Sequence, residues 1–267
     1  MNLFDLAQKA EAFRALHGAP GIFEMPNPWD IGSALQFEKL GAKALATSSG
    51  ASAVARGLRD GRLGRDFALA HAREICAATS VPVSADLENG FGDTPEQVAE
   101  TIRLAGSTGL VGGSIEDFSG DATSGTYPHG IYPFDLALAR VQAAVQAARA
   151  LPFAFTLTAR CENHLRGVDD LADTIRRLQA FEAAGADVLF APALPDIKAV
   201  QAVCSALAKP FSFMVGMPGK SFSRAQLQAA GVKRISFGTV LYRTAMAAAH
   251  AAAREALESG TYSFVGR

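Results

Sequence analysis

Residues 153–193, FAFTLTARCENHLRGVDDLADTIRRLQAFEAAGADVLFAPA, decide how this chain is read. FAFTLTA at 153–159 and ADVLFAPA at 186–193 are short, nearly unbroken apolar runs, whereas Leu171, Ile175, Leu178 and Phe181 between them follow helical spacing. A strand with one wet face alternates polar and apolar residues; one that is apolar throughout is buried on both faces, as in a parallel sheet covered by helices. Strand, helix and strand in that order make a right-handed βαβ crossover.

The same rhythm runs along the chain. Strand candidates lie at 21–27, 44–49, 81–88, 110–117, 153–160, 188–193, 210–216 and 234–238, each followed by an Ala- and Leu-rich stretch at helical spacing. Eight such units in about 240 residues fit a closed (β/α)8 TIM barrel, an α/β fold, better than a doubly wound sheet. No Pro- or Ser-rich linker divides the sequence, so residues 1–267 are expected to form one domain, with 3–16 as an additional N-terminal helix. The Ala-rich segment 240–259 has small residues on nearly every face and too little apolar area to anchor itself, which implies a partner subunit.

Composition narrows the function. Lys and Arg number 25 against 26 Asp and Glu, a net charge of -1 with no basic run, so the electrostatic footprint of a nucleic-acid binder is missing. The N-terminal stretch carries Asp5 and Glu11 in a helical pattern where a signal peptide would be unbrokenly apolar, and no apolar run is long enough to span a bilayer; a cytoplasmic protein is expected. Cys76, Cys161 and Cys204 are too few and too widely spaced for a disulfide framework or a CxxC metal site. GMPGKS at 216–221 lacks the first Walker A glycine, and GxGxxG, HExxH and GxSxG are all missing.

Chemistry concentrates where strands end. VPVSADLENGFG at 81–92 and GGSIEDF at 112–118 deliver Asp86, Glu88, Glu116 and Asp117 to the carboxyl-terminal rim of the barrel, where such folds carry their sites. Asp86 and Glu88, two apart on a strand, would share a face, and acids at the end of an apolar strand need a cation or donors to hold them. Mg²⁺ suits a few carboxylates with retained waters, while helix capping or pairing with Arg and Lys would account for single acids of the set. Arg160 closes the fifth strand and reaches the same rim, either to hold a substrate carboxylate or to pair with Glu116 or Glu162. In TSSGASA, small residues let the backbone N–H groups of Gly50 and Ala51 approach an anionic oxygen, unless the segment is an ordinary turn. The long loops 50–64 and 118–133 read as lids or binding loops. Among rim-loop histidines, His129 and His164 read first as solvated side chains, and Met214 and Met217 as packing.

Six segments then carry a resemblance. PNPWDIGSA (26–34), TSSG (47–50), RDG (59–61), DLENGFG (86–92), SIED (114–117) and TAR (158–160) resemble, in order, the isocitrate lyase/phosphoenolpyruvate mutase superfamily. The resemblance implies a Mg²⁺-dependent barrel, with Mn²⁺ as a substitute, acting on 2-oxo or 2-hydroxy acids through an enolate. It implies metal binding by Asp86, Glu88 and Glu116, a catalytic acid at Asp60, and substrate binding by Ser49, Gly50, Ala51 and Arg160, the last also catalytic. It further implies a homotetramer, a dimer of dimers with swapped terminal helices. The lyase branches carry a Lys-Lys/Arg-Cys-Gly-His segment after the fourth strand; here the loop reads DFSGDATSGTYPHGIYP, where Tyr127 and His129 are the proton donors in view. The expected activity is therefore a carbon–carbon lyase of the oxaloacetate decarboxylase type, which needs little beyond an electron sink. A phosphonate P–C mutase or hydrolase and a non-catalytic 2-oxo-acid-binding protein are the alternatives.

Overall fold

The computed structural model describes residues 3–266; the ends of the expected domain, 1–2 and 267, lie outside them. Strands β1 (Phe23–Met25), β2 (Leu45–Ala46), β3 (Val83–Asp86), β4 (Gly112–Glu116), β5 (Thr156–Arg160), β6 (Val188–Phe190), β7 (Phe211–Met214) and β8 (Arg234–Ser236) all fall within the expected ranges. Every ladder is parallel, in the order β1-β8-β7-β6-β5-β4-β3-β2. The helices are α1 (Leu3–Gly18), α2 (Ile31–Lys39), α3 (Ser49–Val54), α4 (Arg65–Ala78), α5 (Pro95–Gly106), α6 (Phe134–Arg149), α7 (Leu171–Ala183), α8 (Ile197–Ala206), α9 (Arg224–Ala229) and α10 (Val240–Arg254). This is a (β/α)8 TIM barrel.

One residue closes its seam. No strand ladder joins β1 to β2 among the described residues; instead the Ala46 N–H donates to the Pro26 carbonyl at 3.1 Å. Asn27 Nδ2 donates to the Ala46 and Thr47 carbonyls at 3.1 and 3.2 Å, and its Oδ1 accepts from the N–H groups of Phe237 and Gly238 at 2.8 and 3.0 Å. A buried amide thereby satisfies backbone groups on both flanks, which a two-residue strand cannot do alone.

Helix starts follow from local chemistry. Thr94 and Gln97 form a capping box around Pro95 at the start of α5, Asp30 and Ser33 do the same for α2, and Asp170 and Asp196 cap α7 and α8. The N-terminal helix α1 plugs the opposite end of the barrel, burying Phe13 against the sheet. A Cβ on Gly112 would stand 2.9 Å from the Phe13 ring and 2.8 Å from the Thr156 carbonyl, so only glycine lets that plug seat.

Three expectations change. The first part of loop 50–64 is helical, because Ser48 caps α3 through the Ala51 N–H. β3 ends at Asp86, and Glu88 lies beyond it in a left-handed turn (φ 49), so its direction is set by that turn rather than by the strand pleat. The C-terminal helix stops at Arg254 and continues as a π turn, Glu255–Ser259. None of α10 is buried within the chain. Among the described residues no helix is long and apolar enough to cross a membrane.

Candidate active site

A cavity of about 450 Å³ opens at the carboxyl-terminal end of the barrel. Its acidic wall is Asp60, Asp86 and Glu88; facing it are Arg160 and Arg166 with Glu116. Met214, Val215, Met217 and Phe237 make an apolar side. Ser49, Gly50, Asp60, Asp86, Glu88, Glu116 and Arg160 were expected here, and the fold brings all of them to the one cavity.

Asp86 is the hub of the acidic wall. Its Oδ2 accepts from the Ser49 hydroxyl at 2.9 Å and the Ser49 N–H at 3.3 Å, and its Oδ1 from the Glu88 N–H at 3.2 Å. Loss of solvent, then the charges of Asp86 and Asp60, push the Glu88 carboxyl up to about 8. Burial and Asp86 likewise raise Asp60, against a hydrogen bond from Ser49. The buried Oε1 of Glu88 has no hydrogen-bond partner.

The opposite wall is an alternating chain of charges. Glu116 and Arg160 are register partners on β4 and β5, which sets Arg160 Nη1 3.4 Å from Glu116 Oε2. Arg160 Nε donates to Glu162, which Arg166 also contacts at 2.8 Å. Burial opposes the Arg160 charge, but Glu162, Glu116 and Asp86 outweigh it and hold its pKa above the ordinary arginine value. Burial, opposed by Arg160, keeps Glu116 well above the usual carboxylate range. Arg166 lies over the Phe118 ring, 3.5 Å from its centre, which pins the start of the long loop after β4. Arg160 thus pairs with both Glu116 and Glu162, and it also lines the cavity.

Several residues lie elsewhere. Ala51 is fully buried, and its N–H is taken by the Ser48 hydroxyl at 3.3 Å, so helix capping removes it as an anion donor; Gly50 keeps its place on the cavity wall. A Cβ on Gly50 would fall 2.8 Å from Thr239 Cγ2 and 3.2 Å from Asp60 Oδ2. Tyr127 packs edge-on against Tyr132 and His129 is exposed in a left-handed turn; neither lines the cavity. Asp117 turns away to accept from the Glu162 N–H at 2.7 Å and pair with Arg177 at 3.2 Å, bracing the rim from behind. His164 is buried rather than solvated, 3.3 Å from Asp169, and Met214 and Met217 line the cavity rather than the core. Arg166 and Arg243 escaped the sequence reading because each sits in a helical stretch with no strand end to mark it.

The acid set fits a divalent cation held largely through water. The mutual repulsion of Asp60, Asp86 and Glu88 and the unpartnered Glu88 oxygen call for positive charge, which the Arg chain across the cavity gives to Glu116 and Glu162 instead. Among the described residues no three acid, His or Cys side chains converge closely enough to ligate one ion directly, so water must complete the shell.

Known proteins resemble the chain over most of its length. The phosphoenolpyruvate phosphomutase family model matches residues 13–257. A crystal structure of a lyase/mutase candidate from Burkholderia cenocepacia J2315 superposes with a TM-score of 0.93 at 50% identity, covering 98% of this chain and 92% of that one. An uncharacterized protein of Mycobacterium tuberculosis H37Rv is 31% identical over 246 residues, 90% of this chain and 87% of its own. Oxaloacetate decarboxylase of Paraburkholderia xenovorans LB400 is 31% identical over 191 residues, 69% of this chain and 60% of its own. The wider group holds both lyases and mutases acting on small organic acids. A TIM barrel that this family model matches over residues 13–257 belongs to the phosphoenolpyruvate phosphomutase family of the isocitrate lyase/phosphoenolpyruvate mutase superfamily.

Proposed function

We propose that the protein is a Mg²⁺-dependent lyase that breaks a carbon–carbon bond of a 2-oxo or 2-hydroxy dicarboxylic acid through an enolate, with oxaloacetate decarboxylation as its test reaction. The observation that carries this reading is a cavity whose acids Asp60, Asp86 and Glu88 have no basic partner among the described residues, set against the guanidiniums of Arg160 and Arg166, which are shared with Glu116 and Glu162. A cation would neutralise the acids, and the guanidiniums would offer N–H donors to the carboxylates of an organic acid bound with it. The similarity to an oxaloacetate decarboxylase supports the choice of test substrate.

A divalent cation held by Asp86, Glu88 and Glu116 through water would supply the electron sink that stabilises negative charge on the 2-keto oxygen. The chain itself does the rest. Ser49 fixes the Asp86 carboxylate by two hydrogen bonds, so that acid cannot rotate away from the ion. Arg160, held between Glu116 and Glu162, presents a guanidinium of fixed orientation to a substrate carboxylate, and Arg166 adds a second, more exposed charge. Orientation of that kind places the scissile bond across the plane of the developing enolate. Asp60, whose pKa is raised by burial and by the charge of Asp86, is the cavity acid placed to deliver a proton once the bond is broken.

The test is purified protein with Mg²⁺ and a panel of four- to seven-carbon oxo and hydroxy acids, followed by CO₂ release and by NMR of the products. Turnover of a member of the panel is expected, abolished by chelation. Binding of oxalate without turnover of any of them would transfer the protein to the non-catalytic class.

A further inference from the structure

Beneath the active-site cavity the barrel interior contains a buried cation that no acid neutralises. Arg234, on β8, is 3% exposed. Its Nε donates to Ser212 Oγ at 3.0 Å, Nη2 to Thr158 Oγ1 at 3.1 Å, and Nη1 lies 3.2 Å from His17 Nε2. His17 Nδ1 is 2.9 Å from the Phe13 carbonyl, which only accepts, so Nδ1 carries the proton and Nε2 takes the bond from Arg234. Burial pushes the His17 pKa down to about 3, and the ring is neutral. All three partners of the guanidinium are therefore uncharged, and no described carboxylate pairs with it.

A guanidinium has five N–H donors, and three are used. Arg234 also lines a small interior cavity of about 50 Å³, together with Ser84, Ser114 and Ser236, whose hydroxyls make no hydrogen bond within the described chain. Burial lowers the Arg234 pKa to about 9, which still leaves the group charged at neutral pH. A desolvated charge without a counter-charge is costly, and water in the cavity would satisfy donors without cancelling the charge. Asp86 and Arg160 border the same space toward the rim, but Asp86 is committed to Ser49 and Glu88.

We infer that this interior cavity is a binding site for a small inorganic anion of the halide class, held by the two remaining Arg234 N–H groups and the hydroxyls of Ser84, Ser114 and Ser236. The space is small, about 50 Å³, which suits a monatomic anion. The anion would act as a structural counter-ion that joins β8 to β3 and β4, while Arg234 itself ties β8 to β7, β5 and, through His17, the plug helix α1. It does not depend on which organic acid the enzyme turns over.

The experiment is thermal unfolding of the whole chain at constant ionic strength in gluconate, chloride and bromide, with Arg234→Gln and Ser114→Val alongside wild type. At a halide concentration about ten times its dissociation constant, the unfolded-to-folded ratio of the wild type should fall about tenfold relative to gluconate. Arg234→Gln removes the charge and should lose that dependence; should it fail to fold, Ser114→Val, which fills the cavity and keeps the arginine, should lose it too. A bromide-soaked crystal should show an anomalous peak within hydrogen-bonding distance of Arg234. An unchanged midpoint on replacing gluconate by halide, an equal halide effect in Ser114→Val, or a soaked crystal without that peak would overturn the inference.

Discussion

Arg160 Nη1 lies 3.4 Å from Glu116 Oε2 while its Nε donates to Glu162, so one guanidinium is shared by two buried acids. Removing it leaves two largely buried carboxylates with Arg166 alone to pair with them, 3.8 Å from Glu116 and 2.8 Å from Glu162. Breaking a buried pair by deleting one partner typically costs about 3–5 kcal/mol. Arg160→Ala should therefore lower the unfolding midpoint as well as raise KM and lower kcat, whereas Arg160→Lys should recover stability more than activity, because an ammonium supplies charge without the planar fork. Thermal melts beside steady-state kinetics check this; a fully stable Arg160→Ala would mean that the pairing is not what orders the rim.

Asp86 has the opposite character. It is bonded to Ser49 and to the Glu88 N–H, yet its charge repels Asp60 and Glu88. Asp86→Asn keeps an acceptor for the Glu88 N–H, turns the Ser49 hydroxyl from donor to acceptor, and removes the repulsion. Without metal the variant should melt within about 1 kcal/mol of wild type or above it, while its Mg²⁺ affinity drops at least ~10-fold. Isothermal titration with equal Mg²⁺ affinity in the two proteins would remove Asp86 from the metal site.

The contrast between these two residues shows how far the sequence could be read. Apolar strand runs and their spacing carried the barrel, since a parallel strand buried on both faces has few alternatives, and a carboxylate at such a strand end must point to the rim. Asp86, Glu116 and Arg160 were legible for that reason. Ala51 was not, because its N–H is lost to a cap formed by Ser48, a local competition that small residues conceal. Arg166 reaches the cavity from a short helical turn after β5, which no periodicity records, while Met214 ends β7 and was passed over because an apolar side chain at a strand end reads as packing. Nothing in the sequence marks Arg234 at the start of its strand; only the closed barrel shows that it points inward.

Helix α10 makes a separate prediction about assembly. It is fifteen residues long with none buried, Met246 is 48% exposed, and beyond it Leu257 and Tyr262 are exposed as well. Apolar side chains on a helix unsupported by its own barrel call for a covering surface. Light scattering at micromolar concentration should give an oligomer, a tetramer if the superfamily arrangement holds, and deletion from residue 240 onward should yield smaller, less soluble species. A monomeric full-length chain would refute the assignment of α10 to a subunit contact.

The last prediction concerns pH. Burial and like charges raise Glu88 to about 8, Asp60 and Glu116 are also raised, and burial takes Asp117 to about 6. The folded chain then holds protons that the unfolded chain has already released, so these groups make stability fall as pH rises from the ordinary carboxylate value toward about 8. His17, His71 and His164 act in the other direction. Their folded pKa values are lowered, so they stabilise as pH rises through the ordinary histidine value and contribute nothing further above it. Between about pH 7 and pH 8 the histidine contribution is largely complete and the loss from Glu88 is still under way. Metal-free wild type should therefore melt lower at the upper end of that window, Glu88→Gln should flatten the slope, and added Mg²⁺ should stabilise wild type more as pH rises because it binds the ionised acids. Scanning fluorimetry across the window with chelator or Mg²⁺ decides the matter: a metal-free wild type that gains stability there, or a Glu88→Gln curve parallel to it, would show that Glu88 does not carry the displaced proton.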